Sequence, residues 1–209
     1  MSPDWLKVYL AGPEVFLPDP RSVADKKKRL CRKYGFEGLF PLDNEFQIDG
    51  LLKPDQGLRI SQANEDLIRQ SDGLIANLTP FRGPSVDAGT AFELGFARAL
   101  GKPVFGYTND HRPFKDRVRA LSKKSGQLTK GSLTDDRDMV IEDYNLVDNL
   151  MIDRAVCSAT GCQVVVPSQS KSGYYTDLAG FEACLKLART FFFKTSGPTK
   201  RKKSEMARK

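Results

Sequence analysis

LIANLTPFRGPSVDAGTAFELGFARALGKPV, residues 74–104, sets a strand, a loop, a helix and the start of a second strand in one run. Leu74–Leu78 is short and apolar, the pattern of a buried strand. Pro80, Gly83 and Pro84 interrupt it. Asp87–Leu100 then has helical character, closed by Gly101 with Pro103 just beyond. Val104–Tyr107 returns to strand pattern. Strand and helix alternating at such short spacing predict a parallel α/β sheet. In open sheets of this kind, sites form beyond the carboxyl ends of the strands, where helix N-termini also point.

Outward from this unit the alternation continues. Lys7–Gly12 (KVYLAG) reads as a buried opening strand, followed by a loop with Pro13, Pro18 and Pro20. Asp19 or Ser22 is placed to cap a helix that stops at Gly35. Phe36–Pro41 reads as a second strand ending in the turn-prone Leu42-Asp43-Asn44. A loop to about Leu58 and a helix from Arg59 to Gln70 complete the first half. Residues 109–138 are polar and aperiodic and read as an exposed insert or lid. Regular pattern returns at Met139–Arg154, with a further strand at Gln163–Pro167 and a helix at Asp177–Phe193. The expected organisation is one domain over residues 1–194 and a basic, disordered tail over 195–209.

Composition narrows the chemistry. The 209 residues are 40% hydrophobic and 28% charged, as in a soluble globular protein. No apolar run reaches the roughly 20 residues of a membrane helix, and no secretory signal is visible. The net charge is +7, of which +5 sits in the last twelve residues, PTKRKKSEMARK, leaving +2 for the rest. The body is therefore not a basic domain, and nucleic-acid binding is not expected. The tail resembles a localisation signal, so the expected cytoplasmic location leaves the nucleus open. Four cysteines without a C-x-x-C pair read as reduced thiols. The single histidine, His111, removes most His-dependent triads and metal sites. Acid–base work therefore falls mainly on carboxylates.

Glu93 is the carboxylate of most interest. Its helical neighbours Gly89, Thr90, Phe96 and Ala97 include no base. It is therefore at the surface, paired from another element, or kept for chemistry. Asp87 reads as an N-cap that can also face a cleft. Asp66, Asp72, Asn64 and Asn77 carry both a structural and a functional reading. Tyr9 is either a core aromatic or a polar tip facing the cleft. Gly83, Gly89 and Gly95 form neither G-x-G-x-x-G nor a P-loop, so a dinucleotide or nucleoside triphosphate is not supported.

Val8-Tyr9-Leu10-Ala11-Gly12-Pro13, Pro41-Leu42-Asp43-Asn44, Asn64-Glu65-Asp66, Asp72 to Asn77, Asp87 to Ala97 and Asp148-Asn149-Leu150-Met151 follow one another in an order that resembles the nucleoside 2-deoxyribosyltransferases. The resemblance runs from about Lys7 to Phe193. It implies a flavodoxin-like open parallel sheet with helices on both faces, and exchange of the base of a 2'-deoxyribonucleoside with a free purine or pyrimidine, a salvage reaction that requires no metal or cofactor. It implies Glu93 as nucleophile, Tyr9 as the residue orienting it, and Asp66 and Asp87 as base contacts, one of them the proton donor. Asn149 and Met151 would reach a neighbouring subunit's site in a homo-oligomer built from dimers. Gly12, Glu45 and Phe46 would bind substrate. The rival reading is a hydrolase of the same fold that cleaves deoxynucleoside 5'-monophosphates, with Ser85 as a phosphate contact.

Overall fold

Four short apolar runs pair side by side in the computed structural model, which describes residues 5–44, 48–121, 127–129, 132–168 and 173–194. They are β1 (Leu6–Ala11), β2 (Phe36–Leu39), β3 (Gly73–Asn77) and β4 (Val104–Tyr107). All pairs are parallel, in the order β2-β1-β3-β4. A parallel bridge between Tyr107 and Val165 adds the place of a fifth strand, giving the flavodoxin order 2-1-3-4-5. The run expected as a strand at Gln163–Pro167 contributes this one bridge.

The pleat sorts the side chains. Tyr9, Ala11, Leu74, Ala76 and Val104 face one core with α2 (Lys53–Gln70), α3 (Ala88–Ala99) and α5 (Leu150–Thr160). Val8, Leu10, Ile75, Phe105 and Tyr107 face another with α1 (Pro20–Lys33) and α6 (Ala179–Lys194). A sheet covered on both faces explains strands that are apolar at nearly every position.

Helix ends follow the expected chemistry. Asp19 caps α1 by accepting from Ser22 N at 3.1 Å, and Asp87 caps α3 by accepting from Thr90 N at 3.0 Å. Gly161 closes α5 in the left-handed conformation, φ 71°.

Two expectations differ from the structure. Helix α2 begins at Lys53, before Arg59, because Pro54 sits in its first turn, where a missing N–H does no harm. The segment read as an exposed insert contains α4 (Phe114–Leu121) and a hairpin of β5 (Gln127–Thr129) and β6 (Ser132–Thr134). Its start is buried: Asn109, Asp110 and Arg117 are almost inaccessible. Residues 195–209 lie outside the described residues.

Candidate active site

The loops that leave β1, β2 and β3 meet beyond the carboxyl ends of those strands, where the chain order reverses. Between them lies a cavity of ≈ 300 Å³. The turn after β1 contributes Gly12 and Phe16, the turn after β2 Pro41 and Leu42, helix α2 Ile60 and Asn64, and α3 Asp87, Thr90 and Glu93. The PLDN turn is held by Asp43, which accepts from Phe40 N at 2.8 Å and pairs with Lys28.

Tyr9 and Glu93 come together although 84 positions apart: Tyr9 Oη donates to Glu93 Oε1 at 2.6 Å. Burial pushes the Glu93 carboxyl up to about 7; the Tyr9 bond opposes this, and the charges of Asp87 and Glu14 add to it. Burial and the neighbouring Glu93 charge raise the Tyr9 phenol, which stays protonated and donates. A carboxylate poised near neutrality, held by one donor and open to a cavity, can act as a nucleophile.

Asp87 spends Oδ2 on Thr90 N and Thr90 Oγ1, at 3.0 and 3.1 Å. Its Oδ1 has no hydrogen bond among the described residues. The cap thus fixes a carboxyl at the cavity wall. Asp66 lies elsewhere, half-exposed on α2, where it accepts from Gln62 and Arg69, each at 3.2 Å. Asn149 caps α5, accepting from Met151 N at 3.0 Å and donating to Glu142 Oε1 at 2.7 Å. Met151 is 71% exposed and lines a separate groove of ≈ 480 Å³ between α3 and α5. Neither lines the cavity of Glu93. Glu45 and Phe46 fall outside the described residues. Ser85 is engaged, its hydroxyl donating to Asp148.

Three contributors had weak signals or none in the sequence. Asn64 was one of several ambiguous polar residues. Phe16 lies in a proline-rich loop, yet it stacks on Phe81 with ring centroids 5.1 Å apart and forms a wall of the cavity. Glu14 is fully buried behind Gly12, and only its apolar neighbours hinted at burial.

The fold and cavity define an α/β protein with a carboxylate site at a switch point of a parallel sheet. The sequence model for nucleoside 2-deoxyribosyltransferase matches residues 8–151. The chain is 33% identical over 155 residues to the protein C191.05c of Schizosaccharomyces pombe, covering 69% of this chain and 74% of that protein. Among solved structures, a 2-desoxiribosyltransferase from Leishmania mexicana superposes with a TM-score of 0.58 at 27% identity, covering 87% of this chain and 97% of that one. A conserved protein from Enterococcus faecalis V583 shares the fold, with a TM-score of 0.52, 20% identity and coverage of 88% and 99%. The chain belongs to the nucleoside 2-deoxyribosyltransferase family.

Proposed function

We propose that the protein exchanges the base of 2'-deoxyribonucleosides by double displacement on Glu93, in nucleotide salvage. The observation that carries this reading is the Tyr9–Glu93 hydrogen bond at 2.6 Å beside the cavity that also holds Asp87. The ionised Glu93 attacks C1' as the C–N bond breaks through an oxocarbenium-like state, and the bonding pair leaves on the base nitrogen. The Asp87 carboxyl contacts the base and gives that nitrogen its proton. A second base then attacks C1' through its ring nitrogen, gives that nitrogen's proton back to the Asp87 carboxylate, breaks the ester bond to release the Glu93 carboxylate, and restores the configuration. Tyr9 holds the carboxylate in line throughout.

Asp66 does not line the cavity and is bound to Arg69, whereas Asp87 lines it, which supports Asp87 as the donor. Gly12 forms the wall nearest β1, while Glu45 and Phe46 are proposed base contacts on sequence grounds. Asn149 and Met151 complete the site of a neighbouring subunit; the exposure of Met151 above an apolar groove supports this role. The monophosphate hydrolase is the weaker reading, because Ser85 is already committed to Asp148.

Purified protein with 2'-deoxyinosine and adenine tests the reading by chromatography. Rapid formation of 2'-deoxyadenosine, with slow release of free sugar when adenine is omitted, is expected. Cleavage confined to deoxynucleoside 5'-monophosphates would overturn it.

A further inference from the structure

Directly behind the cavity the fold buries an ion pair. Glu14 and Lys27 are both fully excluded from solvent and pair through Glu14 Oε1. The same oxygen accepts from Asn77 Nδ2 at 3.0 Å and from Tyr107 Oη at 3.2 Å. Glu14 Oε2 is equally buried and has no hydrogen-bond partner. It lies against Gly12, where an added Cβ would fall 1.9 Å from it. Gly12 shares the cavity wall with Asp87 and Glu93.

Lys27 lies beyond the carboxylate. Its Nζ is 5.1 Å from the centre of the Phe181 ring on α6 and 5.7 Å from that of Tyr107 on β4. Neither ring lines the cavity. The pair is therefore oriented, its anionic end against the cavity wall and its cationic end toward α6. Burying two charges is unfavourable compared with apolar residues of equal volume in many proteins. A buried oxygen without a partner adds to that cost. Packing alone does not account for such a pair at this place.

We propose that Glu14 is a positioning residue for deoxyribosyl transfer: its carboxylate, tethered by Lys27 beneath Gly12, aims negative potential into the cavity and stabilises the cationic sugar of the transition state. This rests on the glycosyl-transfer reading above. Fixed charges in a water-poor site act strongly because they need not reorganise as the reaction proceeds. The same potential bears on Glu93. Asp87 at the start of α3 and Glu14 both press its carboxyl upward, and Tyr9 on β1 opposes them. Around Glu14 stand Lys27, Asn77 and Tyr107, with Cys184 and Asp177 acting on Tyr107 from behind.

The test uses E14Q and the double variant E14Q/K27M in the full chain. The single change strands the Lys27 charge and can unfold the protein; the double change removes both charges at similar volume. Circular dichroism selects the folded variants. Base exchange gives kcat and KM, and carbon-13 NMR follows the Glu93 carboxyl, assigned by its loss in E93Q. The expected result is a kcat lower by roughly tenfold or more with KM within about twofold. The Glu93 midpoint should also fall by roughly half a unit or more. A folded double variant with unchanged kcat and an unmoved midpoint overturns the inference and assigns the pair a structural role. Wild-type protein that transfers no deoxyribose would defeat the functional reading itself, whereas an active wild type with an indifferent variant defeats only this inference.

Discussion

In the proposed mechanism Glu93 attacks in its ionised form, and burial pushes its carboxyl up to about 7. Turnover should therefore fall as the pH drops below neutrality. Tyr9→Phe removes the one bond that lowers this value, so the acid limb of a kcat/KM profile should move to higher pH, with kcat reduced by about ten- to a hundredfold. An unmoved limb would separate Tyr9 from the nucleophile. Stability gives a second reading. A carboxyl raised from 4.5 to about 7 binds its proton more tightly in the folded chain. Its contribution is complete below the unfolded value and is lost as the pH rises through about 7. Glu93→Gln should thus stabilise the protein by on the order of 1–3 kcal/mol at pH 8 relative to pH 4, while exchange falls by roughly a thousandfold or more. Thermal melts at the two pH values measure the first effect. At this scale the lack of a basic helical neighbour made Glu93 legible in the sequence. Its partner Tyr9 was legible only as one of two readings, because the bond spans 84 positions. Phe16, Asn64 and Glu14 acquire their places through long-range packing that no local pattern encodes.

At the level of elements, legibility followed periodicity and punctuation. Strands β1, β3 and β4 are buried on both faces and read as apolar runs, and α3 carries both its Asp87 cap and its Gly101 stop. Helix α4 had neither signal. It is anchored instead by Arg117, a buried charge in a polar stretch. Arg117 donates to Pro84 O at 2.7 Å, to Arg112 O at 3.2 Å and to Val147 O, and pairs with Asp148 at 3.3 Å. Asp148 in turn accepts from Ser85 Oγ, from Val86 N at 3.0 Å and from Asn149 N at 2.7 Å. This strut ties the loop leading into α3, and so Asp87 and Glu93, to the start of α5. Arg117→Ala leaves the buried Asp148 without its counter-charge, and should destabilise the fold by about 3–5 kcal/mol. Urea denaturation checks this, and an unchanged midpoint would refute the strut.

For the whole molecule, the doubly covered sheet was legible because helices and strands alternate. The outer surfaces were not, because exposed apolar residues have no signature separating an interface from chance. The groove between α3 and α5 is lined by Met151, Leu94 and Ala91 among others, with Met151 exposed. If neighbouring subunits complete each other's sites there, Met151→Asp should lower the solution mass measured by light scattering and reduce turnover together. Loss of turnover at unchanged mass would place Met151 in a different role. Removing residues 198–209 should leave turnover unaltered, since the tail's charge is not shared by the body.

In the proposed mechanism Glu93 carries the sugar as a covalent ester. Incubating the full chain with 2'-deoxyinosine alone, quenching in acid and mapping peptides by mass spectrometry tests it directly. One 2-deoxyribosyl group is expected on the peptide containing Glu93, absent in Glu93→Gln and discharged to 2'-deoxyadenosine when adenine is added before the quench. Exchange that proceeds with no adduct under any quench, or an adduct on another carboxylate, would contradict it.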